Sequence, residues 1–210
     1  MEPTPPSAQQ SAQAAPDYQL EEPGLGTRFK DSLVELIQFV AIVASILMII
    51  RVFIAEPHKV SGKSMVPNFQ DGDYIITNKL ATRSSAYQRG EIIILKNPQN
   101  PEKEVFIKRV IGLPGETLKL SDGKVYINET LLNEPYLPQD LETHGEGFLK
   151  DGDEITMPAD NYFVMGDNRK NSSDSRQFGL IPKSEIIGQA FLRYWPVDKM
   201  VIIPIGTSTN

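Results

Sequence analysis

Apolar residues run almost unbroken from Leu33 to Ala55, in the stretch LVELIQFVAIVASILMIIRVFIA. At about 1.5 Å of rise per residue, a helix of that length matches a hydrocarbon core about 30 Å thick. The pattern predicts a transmembrane helix over residues 31–56. Glu35 stands at its first edge and Arg51 near its second, where a long side chain reaches the headgroups instead of staying in hydrocarbon. A buried core helix is the other reading of an apolar stretch, and the lack of charge between Leu36 and Ile50 disfavours it. A cleavable leader has a shorter apolar region followed by small residues. Here Phe53, Ile54, Glu56 and Pro57 follow, so the helix is expected to persist as an anchor.

Beyond Pro57 the period changes. Short alternating or apolar runs, DYIIT (73–77), EIIIL (91–95), EVFIKRVI (104–111) and KVYIN (124–128), are separated by turn residues and predict strands. Ser121-Asp122-Gly123, between TLKL and KVYIN, predicts a hairpin turn because glycine accepts positive φ at little steric cost. Prolines at 98, 101, 114, 135, 138, 158 and 182 end any long helix. Leu137 to Asp153 reads as a long loop. The fold class is therefore mainly β, with one N-terminal transmembrane helix, a β-rich domain over 57–204 and a C-terminal tail at 205–210. Residues 1–30 are rich in Pro, Ala, Gln, Ser and Glu without apolar periodicity, and predict a disordered tail.

Composition narrows the chemistry. In 210 residues with 40% hydrophobic and 23% charged, one modest globular domain and an anchor fit, but two catalytic domains do not. A net charge of −6 argues against broad binding to nucleic-acid phosphates. The absence of cysteine excludes disulfides, thiolate nucleophiles and Cys-based zinc sites. His58 and His144 are far apart, without metal-ligand spacing, and are expected at the surface. A Ser-His-Asp triad gains little support.

Three segments remain as carriers of chemistry. In Ser61-Gly62-Lys63-Ser64-Met65-Val66-Pro67, glycine and proline bracket a serine, and such a turn can present Ser64 Oγ and its own N–H to a carbonyl. The bland alternative is an ordinary turn. A serine needs a base, and Lys or a carboxylate are the candidates when histidine is set aside. In FIKRV, strand alternation puts Phe106, Lys108 and Val110 on one face and Ile107, Arg109 and Ile111 on the other. Burial lowers a lysine pKa, so a buried Lys108 can be neutral and accept the serine proton, whereas Arg109 stays charged. The competing reading is an amphipathic strand with two solvated cations. The third segment, GDNRKNSSDSR (166–176), is either a solvated loop or a set of polar groups that fixes a base.

In this order, a membrane helix, SGKSMVPNF, GDYIITNKL, FIKRVIGLPGE and GDNRKNSSDSR resemble the type I signal peptidase family, the serine-lysine peptidases of family S26, over about Leu33 to Pro196. The resemblance implies an antiparallel, partial-barrel catalytic domain and a membrane-bound serine endopeptidase that removes signal peptides from exported preproteins through an acyl-enzyme. It implies Ser64 as nucleophile, Lys108 as general base and Ser172 as the hydroxyl that orients the lysine amine. Asp174, Arg176 and Arg109 are implied as a supporting ion-pair network. Met65 and Pro67 would shape the nucleophile turn, and Gly166, Asp167 and Asn168 would begin the loop behind the site. Some relatives carry a serine where Gly62 stands, which leaves the Ser64 N–H as oxyanion donor and the second donor unassigned near Gly62. Glu116 and Asn68 also depart from common family residues. No metal or organic cofactor is implied. Preproteins and the lipid bilayer are the implied partners, with no nucleic acid. The implied location is a bacterial-type plasma membrane or a thylakoid membrane, with the tail cytoplasmic and the β domain on the trans side. A LexA-like serine-lysine autoprotease shares the dyad and much of the β fold but would lack the anchor. A membrane-tethered β module without activity is the non-enzymatic alternative.

Overall fold

The computed structural model describes residues 25–80, 86–102 and 104–206. They fall into two units, the first reaching Ser45 and the second starting at Ile46. Helix α1 (Leu25–Phe53) contains an apolar stretch, Ser32–Phe53, with mean hydropathy 2.6 and none of it buried. A helix apolar on all sides and exposed throughout has the length and composition of a single membrane span.

The expected bounds need correction. The helix starts at Leu25, inside the stretch 1–30 expected to be disordered, and the rest of that tail, residues 1–24, lies outside the described residues. It ends at Phe53 rather than 56. Glu56 precedes Pro57, a position that disfavours α-helical backbone, and Ala55 already opens strand β1 (Ala55–Lys59) opposite Asn78. Glu56 is held there by Lys79 at 3.0 Å. The β-rich part thus begins at Ala55, not 57. At the other end Ile205 and Gly206 have no regular structure, and 207–210 lie outside the described residues.

The larger sheet contains β1, β2 (Tyr74–Asn78), β3 (Ile92–Lys96), β4 (Val105–Gly112), β9 (Asn161–Met165), β10 (Ile181–Pro182), β11 (Ile186–Trp195) and β12 (Val201–Ile202). Its order is β1-β2-β11-β3-β4-β9-β10, with β12 on β11, and its pairings are antiparallel. The smaller sheet has the order β7-β6-β5-β8, from β5 (Thr117–Ser121), β6 (Lys124–Ile127), β7 (Thr130–Leu131) and β8 (Glu154–Thr156). Asp122 and Gly123 both take positive φ, 52° and 70°, and close β5 onto β6 as a two-residue hairpin.

Strand β3 shows why a run such as IIIL is uninterrupted. Ile92 and Ile94 join one core cluster with Met65 and Phe69, while Ile93 and Leu95 join another with Tyr162 and Val164. Both faces of the strand are packed, so period two leaves no polar position. Strand β4 beside it is buried from Ile107 to Gly112. Its partner on the far side, β9, pairs it only at Arg109, Val110 and Gly112. Residues Val105 to Lys108 therefore leave one β4 edge without a strand partner among the described residues, and a cavity opens there.

Candidate active site

Three elements converge on this cavity. Strand β4 supplies Lys108, the turn after β1 supplies Ser64, and the loop after β9 supplies Asn171 and Ser173. Lys108 Nζ donates a hydrogen bond to Ser64 Oγ at 2.9 Å. Lys108 is 3% exposed and Arg109 5%, so the reading of two solvated cations is overturned. The alternation expected for β4 holds locally, since Lys108 Nζ lies 4.9 Å from the centre of the Phe106 ring. Burial, helped by the Arg176 charge, lowers the Lys108 amine to a pKa of about 8 against an upward pull from Asp174 and Asp167. A group with that value offers a neutral, basic amine in a useful fraction near neutral pH.

Ser64 is held in place from its backbone. Asn168 N donates to Ser64 O at 2.9 Å, and Asn168 Nδ2 to Lys63 O at 3.1 Å. Met65, 1% exposed, anchors the turn in the core, while Pro67 is exposed and joined to Val66 by a cis bond. The Ser64 N–H makes no hydrogen bond among the described residues, which leaves it available to an incoming oxygen. Gly62 is different: its N–H donates to Asp71 Oδ1 at 2.8 Å, so the donor expected near Gly62 is committed elsewhere in this arrangement.

The supporting ion pairs form two sets rather than the single network expected. Arg109 makes a bidentate pair with Asp167, at 2.8 and 2.6 Å, and donates to Gly90 O. Asp174 caps α2 (Ser175–Phe178), pairs with Arg176 at 2.8 Å through both oxygens, and accepts from Gly166 N at 3.0 Å. Arg109 belongs with Asp167, because alternation turns it away from Lys108. Ser172 is 7% exposed, and its Oγ has no hydrogen-bond partner among the described residues. The contact expected from Ser172 to the lysine amine is thus not formed here. Its hydroxyl is nevertheless close to the Ser64 backbone, since a methyl placed on Gly166 would meet Ser172 Oγ at 2.2 Å and Ser64 O at 2.4 Å.

Sequence reasoning missed three participants. His58, expected at the surface, is half-buried against the cavity, with a buried Nε2 that has no hydrogen-bond partner, and burial lowers its pKa. From the stretch before the long loop, Glu134 pairs with Arg169 of the site loop, and Tyr136 contacts Asn68 and Arg109. Neither Glu134 nor Tyr136 lies in a periodic pattern, so no sequence signal pointed to them. The cavity holds about 200 Å³, with Val60, Ile75, Ile94, Phe106 and Ile107 among its walls. Such a space is below the ordinary range for small-molecule pockets, about 300 to 1,000 Å³.

A profile described as signal peptidase, peptidase S26, matches residues 33–195. The signal peptidase I P of Bacillus subtilis subsp. natto is 34% identical over 82% of this chain and 95% of its own length. The signal peptidase I of Leptolyngbya laminosa is 38% identical over 80% of this chain and 82% of its own. A crystal structure of a signal peptidase I from Enterococcus faecalis shares 31% identity, with a TM-score of 0.42, over 50% of this chain and 97% of that one.

Proposed function

The chain belongs to the signal peptidase S26 family, serine endopeptidases that cleave signal peptides from preproteins, and we propose that Ser64 and Lys108 perform this reaction here. The observation that carries the assignment is the 2.9 Å contact between the Oγ of a partly buried Ser64 and the Nζ of a buried Lys108 with a lowered pKa.

The neutral amine takes the Ser64 proton as Oγ attacks the carbonyl carbon of the scissile bond. At this distance the hydrogen bond serves in either direction, so deprotonating Lys108 reverses donor and acceptor without moving the side chains. The Ser64 N–H stabilises the resulting oxyanion. As the intermediate collapses, the lysine ammonium protonates the leaving amine of the mature chain. Water, deprotonated by the same amine, then hydrolyses the acyl-enzyme, which frees the signal peptide carboxylate and restores the Ser64 hydroxyl. Ser172, Asp174 and Arg176 hold the lysine surroundings, and Arg109 with Asp167 holds the loop behind them. Gly62 N–H, bonded to Asp71, does not serve as a second oxyanion donor in this arrangement.

The small cavity, part of whose wall is apolar, favours short side chains at the first and third positions before the scissile bond, because larger ones would clash. Helix α1 spans the bilayer with its N-terminal end in the cytoplasm and the β domain on the trans side of a plasma or thylakoid membrane. Anchoring concentrates the enzyme where cleavage sites emerge from the bilayer. The test is processing of a preprotein by membranes carrying the wild type or Ser64→Ala. Wild-type cleavage lost in the variant is the expected result, and cleavage retained by Ser64→Ala overturns the assignment.

A further inference from the structure

Tyr136 touches two of the three chain segments that build the site and reaches the third through Glu134, although it belongs to none of the motifs that carry Ser64, Lys108 or Ser172. Its backbone carbonyl accepts from Asn68 Nδ2 at 3.0 Å, at the end of the nucleophile turn. Its ring lies under the guanidinium of Arg109, 3.8 Å from the ring centre, and Arg109 adjoins Lys108. Its hydroxyl donates to Glu134 Oε1 at 2.7 Å, and Glu134 is ion-paired with Arg169 in the loop that carries Ser172.

The anchors of this contact are themselves tied down. Asn68 Nδ2 also donates to Asp167 Oδ2 at 2.8 Å, the carboxylate that holds Arg109. Arg169, 2% exposed, donates to Gly166 O at 3.1 Å and to Thr143 Oγ1 at 2.7 Å besides Glu134. The result is a closed ring of interactions from Asn68 through Tyr136, Glu134, Arg169 and the 166–169 backbone to Asp167 and back to Asn68. Within it, the stacked ring of Tyr136 bears directly on the residue next to Lys108. Burial, with the Glu134 charge second, raises the phenol pKa, so the hydroxyl remains a donor.

We infer that Tyr136 is a positioning residue for the cleavage reaction, bracing the Lys108 strand and the Ser64 turn against the loop that carries Ser172. The inference rests on the assignment of Ser64 and Lys108 above. A brace of this kind acts on the rate of the acylation step and on how dry Lys108 is kept, not on the substrate cavity, whose walls do not include Tyr136.

The experiment uses the full chain in detergent micelles and a synthetic cleavage-site peptide with alanine at the first and third positions. Tyr136→Ala should lower kcat by about tenfold or more with KM within about twofold, since small displacements of reacting groups cost that much. It should also move the acid limb of the pH profile upward, because loosening β4 at Arg109 loosens the burial of the adjoining Lys108 and lets its pKa rise toward the ordinary lysine value. Tyr136→Phe, which keeps the ring over Arg109 but loses the bond to Glu134, should recover part of the rate and of the limb position. A purely structural role predicts a lower melting temperature with kcat and the limb unmoved, and that result overturns the inference. If Tyr136→Ala does not fold, Tyr136→Leu is read by the same two quantities. Failure of the dyad assignment looks different: the wild type itself then lacks an acid limb, and the kcat loss with partial rescue by phenylalanine still decides the role of Tyr136.

Discussion

Lys108 and Arg109 are neighbours on β4 and almost equally hidden from solvent, yet their partners differ in kind. Arg109 has both oxygens of Asp167, whereas the bond from Lys108 Nζ goes to the neutral Ser64 hydroxyl. A guanidinium needs a carboxylate to remain buried, but an ammonium can discharge itself by losing a proton. Lys108→Arg should therefore be as inactive as Lys108→Ala, because a permanent cation cannot accept the Ser64 proton. Wild-type kcat/KM should rise with pH through about 8, the value to which burial brings the amine. Peptide cleavage measured from pH 5 to 10 checks both, and a flat profile or an active arginine variant refutes the base assignment.

Ser172 provides a separation of stability from activity. Its buried Oγ lacks a partner, and such a hydroxyl costs roughly 1 to 3 kcal/mol to bury. Ser172→Ala should consequently be as stable as the wild type or more so, while activity drops by about tenfold or more if the hydroxyl orients the amine during turnover. Thermal unfolding and peptide kinetics on one preparation decide this. Unchanged kinetics would make Ser172 an ordinary loop residue.

Much of this was legible locally. Ser64 sits in a turn announced by Gly62 and Pro67, and Lys108 in a strand whose alternation fixed its neighbours. The hairpin at Asp122-Gly123 follows from residues that tolerate positive φ. Strand β11, ten residues between β2 and β3, was not legible, because irregularities between Ala190 and Leu192 and between Arg193 and Trp195 interrupt the period that marks a strand. The pairing of Arg109 with Asp167 rather than with Asp174 depends on which face of β4 meets which part of the loop. Glu134 and Tyr136 matter only through contacts distant in sequence, and short-range patterns carry none of that.

Gly166 tests how tightly the loop and the nucleophile turn are fitted. A methyl there would fall 2.2 Å from Ser172 Oγ and 2.4 Å from Ser64 O, and the second is backbone. A side chain can rotate away, but the Ser64 carbonyl also accepts from Asn168 N and cannot yield without moving the nucleophile. Gly166→Ala should lower kcat by about a hundredfold, the scale expected for a displacement near 1 Å. Circular dichroism should show the β content retained. Activity within a few fold of wild type would mean that the loop shifts without carrying Ser64 along.

The lowered Lys108 pKa also makes a statement about stability. The unfolded chain holds this proton up to the ordinary value of 10.5, while the folded protein releases it at about 8. Between those values the unfolded state binds more protons, so the folded state gains stability as pH rises from about 8 to 10.5. Below 8 the buried amine is charged in both states, and its full cost falls on the folded protein. At 1.36 kcal/mol per unit this is on the order of 3 kcal/mol, an upper figure because the surroundings relax. Lys108→Met fills a similar volume without the charge and should be more stable than wild type at pH 7. The difference should shrink steadily across pH 8 to 10.5, and urea unfolding of both proteins in the same detergent at pH 7, 9 and 10.5 measures it. A methionine variant less stable than wild type at pH 7 would show that Lys108 gains more from its neighbours than burial takes away, and that its pKa is not depressed.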